Sequence, residues 1–391
     1  MTRHARPTLT VLAVLSTVFA IVLLGASSGS AATTTDRGIP TWLFDGSATV
    51  VTTAARAQAV AKRHDVIIGV PRYGTFLKDL KAANPGITVA EYHKGTTVKG
   101  DFAWVQKNHP DWLLRNQSGN LMKSSWGGYL INPSLPAVRQ WQAEYAKAQQ
   151  AGGWTAVYMD AMGSMAFYGF PGVPVNPATK RPFTLTEWLA ATTGLAEAVD
   201  AAVSIPVLLN GYNSGTPYVK NTHVLASVAQ GGVFEGCFRD ATDRVTAWPS
   251  MTDWTNQLKA LDDVDAKGRM ALCMTKMWTG GTAAQLNQWN DFTLASFMLA
   301  KGPKSYFMFM ASKSQDAMTS WNASPPAIGA PTGARTQQGS AWVRPFASGM
   351  VAVNPGTASE TVSLGGTYVT PAGRSVTSVT LGAHEGVILT R

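Results

Sequence analysis

Three consecutive stretches decide the fold: TAVYMD (Thr155–Asp160), TLTEWLAATTGLAEAVDAAV (Thr184–Val203) and PVLLN (Pro206–Asn210). The first and last are short, nearly continuous apolar runs, the pattern of parallel strands covered on both faces. The middle stretch is long and opens TLTE, a hydroxyl followed three residues later by Glu, which is a capping-box helix start. Strand, helix, strand is a βα unit, and the rhythm continues in both directions. Upstream lie TWLFD (Thr41–Asp45), DVIIGV (Asp65–Val70) and ITVAEY (Ile87–Tyr92). Downstream lie GVFEG (Gly232–Gly236), RMALCMT (Arg269–Thr275) and SYFMFM (Ser305–Met310). Helices are expected over Thr53–Arg63, Thr75–Ala83, Pro136–Ala151, Thr252–Ala266 and Thr282–Lys301, with a short one between Gly211 and Gln230. Eight strands alternating with helices over roughly 270 residues match a (β/α)₈, or TIM, barrel. A doubly wound open sheet would carry a Gly-rich phosphate loop after an early strand, and the sequence has none.

Both ends of the chain break this rhythm. Arg3, His4 and Arg6 precede an apolar run from about Leu9 to Leu24 and then the small residues GASSGSAA. Charge, apolar run and small-residue end form the pattern of an export leader, expected over residues 1–32, with an uncleaved membrane anchor as the rival reading. No later stretch is long and apolar enough to span a bilayer, so a secreted protein without stable membrane insertion is expected. Residues 33–325 then form the barrel. After Ser324–Pro325–Pro326, residues 326–391 lose helical periodicity and show alternation with Gly-Gly and Asn-Pro turns. They read as a linker and a small C-terminal antiparallel β-sandwich. Its few strands bury too little apolar surface to stand alone, so it should pack on the barrel.

Composition narrows the function. The net charge is +9, of which Arg3 and Arg6 would leave with the leader. Without a Lys/Arg run or a basic helix, nucleic acid is a poor partner. The 13 Trp and 37 Gly suit a carbohydrate site, because indole faces match the apolar face of a sugar ring. Two cysteines, Cys237 and Cys273, lie near the ends of adjacent expected strands, and a bridge between them stays open at this level. With six scattered His and no C-x-x-C or H-x-H, no metal site or cofactor is expected.

Cleavage of a glycosidic bond needs two carboxyl groups flanking it. In a barrel they come from the carboxyl ends of strands. Asp160 ends TAVYMD and is followed by Ala161, Met162 and Gly163. Glu235 stands in GGVFEGCF among apolar residues, a setting that raises a carboxyl pKa toward that of a proton donor. The plainer readings are a turn cap for Asp160 and an ion pair to Lys276 or Arg239 for Glu235. Other strand-end residues would ring the same rim as substrate contacts: Asp45, Tyr73, Glu91, Tyr92, Asn210, Tyr212, Lys276 and Trp278, with Trp126 from the insertion Asn108–Asn132. Asp45 and Glu91 are the alternates should either main carboxylate fail, and His93 reads as a satisfied surface histidine.

The segments WTAVYMDAMG (Trp154–Gly163), GGVFEGCF (Gly231–Phe238), NHPDWLLRNQSGN with YLINPSLPAVRQW (Asn108–Trp141), and AWVRPFASGMVAVNPGTASETVSLGGTYVT (Ala341–Thr370) resemble secreted proteins described as hypothetical glycosyl hydrolases. More distantly they are similar to the α-galactosidase and α-glucosidase superfamily of barrels. The resemblance implies Asp160 as nucleophile after the fourth strand and Glu235 as acid/base after the sixth. It further implies a retaining mechanism and an α-linked substrate. A glycan-binding protein on a degenerate barrel is the alternative. An esterase would need a G-x-S-x-G elbow or metal-ligand spacing, and neither occurs.

Overall fold

Each apolar run forms a strand, with limits within two residues of expectation. The strands are β1 (Trp42–Asp45), β2 (Val66–Gly69), β3 (Thr88–Lys94), β4 (Ala156–Asp160), β5 (Val207–Asn210), β6 (Gly231–Phe234), β7 (Met270–Lys276) and β8 (Ser305–Met310). The computed structural model describes residues 39–46, 50–163, 167, 169–312 and 326–391. The expected leader and the junction at Ser324–Pro325 lie outside the described residues. Neighbouring strands are parallel and follow chain order from β1 to β8. A parallel bridge between Thr41 and Phe307 joins last to first, closing a barrel.

Local chemistry sets the helices. Thr53 caps α1 (Ala54–Ala61), Thr184 with Glu187 closes a capping box on α5 (Leu185–Asp200), and Thr282 with Gln285 closes another on α9 (Ala283–Ala300). Ser250 caps α8 (Met251–Ala266) in the same way. Pro at the first position starts α4 (Pro136–Ala151). The start expected at Thr75 is a 3₁₀ turn over Pro71–Phe76, and α2 follows as Leu77–Ala83. The insertion after β3 holds α3 (Phe102–Asn108), which periodicity did not reveal. Between β5 and β6 the chain makes two short helices, α6 (Thr216–Lys220) and α7 (Leu225–Val228). Among the described residues no helix is long and apolar enough to cross a membrane.

Strand alternation sorts the core into two layers. Trp42, Ala90, Tyr158, Leu208, Val233, Leu272 and Met274 share a cluster in the barrel interior. There Trp42 Nε1 donates to the Cys273 carbonyl at 3.0 Å. Their chain neighbours Val157, Leu209 and Cys273, with Phe307 of β8, turn outward into the layer under the helices.

The C-terminal residues form one six-stranded antiparallel sheet: β9 (Thr336–Gln338), β10 (Ala341–Phe346), β11 (Gly349–Asn354), β12 (Glu360–Val369), β13 (Ser375–Leu381) and β14 (Glu385–Thr390), ordered β9-β10-β11-β14-β12-β13. ETVSLGG and TYVT are a single strand with an irregularity between Ser363 and Tyr368. Phe346, Val351, Val353 and Ile388 join the same core as Phe292 and Ala295 of α9. The sheet thus shares the barrel's core. Arg344 Nη1 donates to the carbonyls of Met298, Leu299 and Lys301, satisfying the end of α9.

Candidate active site

Parity along the strands selects the site. Residues that share a face with the interior core continue upward to the carboxyl rim as Tyr92 and Lys94 on β3, Asp160 on β4, Asn210 on β5 and Lys276 on β7. Glu235 keeps the parity of Val233 but lies one residue past β6, in a turn rather than within the strand as expected. The Cys237–Cys273 disulfide explains that early end: it ties the turn to β7, with Cα atoms 5.4 Å apart.

Asn210 joins the two carboxylates. Its Nδ2 donates to Asp160 Oδ1 at 2.8 Å and to Glu235 Oε2 at 2.9 Å. Two oxygens that close to one nitrogen stand less than about 6 Å apart. Tyr92 Oη donates to Asp160 Oδ2 at 2.5 Å, and the Ala161 N–H completes the set. Ala161 reaches that position with φ of 61°, left-handed backbone at a non-glycine residue. Burial, and then the charge of Glu235, push the Asp160 carboxyl above its ordinary range, partly offset by the Tyr92, Asn210 and Ala161 hydrogen bonds. Burial and the Asp160 charge raise the Tyr92 hydroxyl strongly, so it remains a donor. Tyr158, two residues before Asp160 on the same face, also bonds Asn210 and packs at 5.8 Å from Tyr92.

Glu235 has the cationic partner that its plainer reading anticipated. Lys276 Nζ donates to Glu235 Oε1 at 2.6 Å and lies 4.3 Å from the Trp278 ring. The Lys276 side chain is 7% exposed and that of Glu235 47%, so the carboxylate stays open to a ligand. Arg239, the other cation considered, is committed elsewhere. It donates to the carbonyls of Lys276, Arg244 and Asp243 and stacks on Trp289. A cleft of about 500 Å³ opens beside Glu235 and Lys276 and extends over the loops after β5 and β6 toward α8.

Several expected contacts lie elsewhere. Glu91 and His93 have the outward parity of β3 and face α4: Tyr145 Oη donates to Glu91 Oε1 at 2.7 Å, and His93 stacks on Tyr145 and bonds Gln142. Burial raises the Glu91 carboxyl and lowers His93 to about 4. Asp45 has outward parity on β1 and accepts from Tyr73 Oη at 2.7 Å, a buried pair that lines no part of the cleft. Tyr212 is fully buried, its ring laid where Gly232 has no side chain, because a Cβ there would stand 2.6 Å from it. Trp126 is exposed and rests on Gly169, joining the insertions after β3 and β4. Lys94 and Tyr158 share the face of Tyr92 and Asp160 and were not singled out from the sequence. Parity with Tyr92 and Asp160 was the signal that could have found them. The cleft residues Ser214, Asp240, Asp243 and Gln257 had no such signal, since they sit on loops and a helix.

Comparison with known proteins places this architecture. A search of curated proteins gave no significant match. Among solved structures the chain is similar to Eubacterium rectale Amy13B, at TM-score 0.57 and 9% identity over 91% of this chain and 96% of that one. It is also similar to the GH27 β-L-arabinopyranosidase of Geobacillus stearothermophilus, at TM-score 0.56 and 12% identity over 91% and 97%. The trehalose-6-phosphate hydrolase of Bacillus licheniformis follows at TM-score 0.55 and 9% identity over 91% and 99%. At such identities these likenesses speak for the fold. Residues 82–350, which run from the end of α2 through all later barrel strands into β11, match the model of one family, and on that match the chain belongs to hypothetical glycosyl hydrolase family 15.

Proposed function

We propose that this glycoside hydrolase cleaves an oligosaccharide or polysaccharide with retention of configuration. Asp160 attacks the anomeric carbon while Glu235 gives its proton to the departing oxygen, leaving a glycosyl ester on Asp160. Glu235, now ionised, takes a proton from water as that water attacks the ester, restoring both carboxyls. The observation that carries this reading is the shared Asn210 amide. It brings one oxygen of each carboxylate to a single amide nitrogen, a close approach that supports the ≈ 5–5.5 Å arrangement of retaining enzymes over the ≈ 6.5–9.5 Å one of inverting enzymes. The roles are those the sequence resemblance implies. Asp160 is fixed by three donors and suits a nucleophile that must not wander. Glu235 is half exposed beside the cleft, where a leaving group departs and water enters. An α-linked substrate is proposed from the sequence resemblance alone, and export from the leader pattern of residues 1–32.

A second reading, a glycan-binding protein without turnover, draws on the Lys276–Glu235 pair, which holds the proposed acid in its ionised partner's grip. One experiment separates the two. Purified protein is assayed against a panel of envelope and plant glycans beside Asp160→Asn and Glu235→Gln. The proposal expects wild-type turnover, with kcat reduced by about 10³-fold or more in each variant and melting temperatures within a few degrees. Binding without cleavage by the wild type favours the second reading, and full activity in either variant removes that residue from the mechanism.

A further inference from the structure

The cleft beyond Glu235 has a charge character opposite to that of the chain. The protein is basic at +9. Yet the cleft walls carry Asp240, Asp243 and Asp253, all exposed and none in an ion pair among the described residues. Asp240 accepts only from Thr242, and Asp253 only from the hydroxyls of Ser250 and Thr216. The two cations of the cleft are buried: Lys276 pairs with Glu235, and Arg239, bonded to three carbonyls and Thr279, lies in the field of Asp240 and Asp243, so four carboxylates face two cations.

A second, independent feature points to an occupant. Gln257 lines the cleft and is 1% exposed. Its Oε1 accepts from the Gly215 N–H at 2.9 Å, while its Nε2 has no hydrogen-bond partner. Ser214 Oγ, also on the lining, is buried without a partner. A buried donor left unpaired costs about 1–3 kcal/mol, so these groups fit a ligand bearing hydroxyl acceptors. The described carboxylates do not group as metal ligands. A metal ion would in any case leave Gln257 Nε2 unsatisfied.

We infer that the cleft beyond Glu235 is a leaving-group subsite for an amino sugar whose amine is free and protonated. The inference rests on the retaining reading for its polarity. Asp160 is not on the cleft lining and Glu235 is, so what fills the cleft lies on the side where the proposed acid delivers its proton. Hydroxyls of the ring meet Gln257 and Ser214, and the ammonium meets the carboxylates. A neutral or N-acetylated sugar satisfies the first set and leaves the excess of carboxylates over cations in the cleft unmatched.

The test measures binding to Asp160→Asn, which keeps the cleft and blocks turnover. The probes are glucosamine and galactosamine tetrasaccharides in both anomeric linkages, each as the free amine and fully N-acetylated. Calorimetry at low salt should give at least one amine form about tenfold tighter than its N-acetylated twin, with the ratio shrinking as salt rises. Added Asp240→Asn with Asp243→Asn should reduce that ratio to about twofold or less, and Asp243→Lys, at an exposed position, should reverse the preference. Equal affinities, preference for the N-acetylated forms, or no binding of any probe overturns the inference. Glycan turnover by the wild type without amine preference would sink the subsite and leave the retaining reading standing. Amine-selective binding without any turnover by the wild type would leave amine recognition in the cleft standing and remove the retaining reading together with the leaving-group assignment.

Discussion

Tyr92 and Asp160 show how single side chains tune the proposed chemistry. The Tyr92 hydrogen bond favours the ionised form of Asp160, while burial and Glu235 oppose it. A nucleophile must be ionised, so activity should fall on the acid side through the Asp160 pKa, above the ordinary Asp range. Removing the Tyr92 donor takes away a lowering influence. Tyr92→Phe should therefore move the acid limb of kcat/KM to higher pH, with kcat down about 10-fold or more at its optimum. An unmoved acid limb would mean that Asp160 does not govern it. The residue scale is also where the sequence was hardest to read. Strand-end position alone set Glu91 beside Tyr92 and kept Asp45 as an alternate to Asp160, but one step along a strand turns a side chain to the other face. Counting parity from Tyr158 and Asp160 separates them. Tyr212 failed for a different reason: Gly232 on the next strand opens the space its ring fills, a pairing visible only once the strands are neighbours.

Three turns, after β3, β4 and β5, hold the carboxylate geometry at the level of elements. The Met162 N–H bonds the Asn210 carbonyl, the Gly95 N–H bonds the Asp160 carbonyl, and Thr96 Oγ1 bonds the Ala161 carbonyl. Those after β4 and β5 approach so closely that a Cβ on Gly163, at φ of 79°, would stand 2.5 Å from the Gly211 carbonyl oxygen. Backbone cannot give way as a flexible side chain does. Gly163→Ala should cost about 2–4 kcal/mol of stability, read as a lowered denaturation midpoint, and should lower kcat in the fraction that folds. Wild-type stability in that variant would show that the two turns are not held as described. Elements were the most legible scale. Caps at Thr184 and Thr282 and the apolar runs marked starts and strands, and the barrel order followed. The end of β6 was not legible, because it depends on a disulfide to β7 that the sequence left open.

The whole molecule joins a barrel to a sheet through α9. Gly386 on β14 lies so near that helix that a Cβ would meet Ala295 Cβ at 2.7 Å, and Arg335 makes a two-bond contact with Asp262 on α8. Removing residues 326–391 would uncover the apolar face that Phe292 and Ala295 share with Val351 and Ile388. The truncated chain should accordingly aggregate or lose its cooperative thermal transition; a soluble barrel that melts as the full chain does would contradict this. Alternation and turn residues announced that the tail was an antiparallel sheet needing support, while which helix supplied the support came only from the packing. The central claim, that Asp160 and Glu235 straddle one sugar and act in two displacements, is tested most directly by the anomer first released. Proton NMR of a glycan the enzyme cleaves, recorded before mutarotation, should show the product with the configuration of the bond broken. Initial release of the opposite anomer would contradict the account.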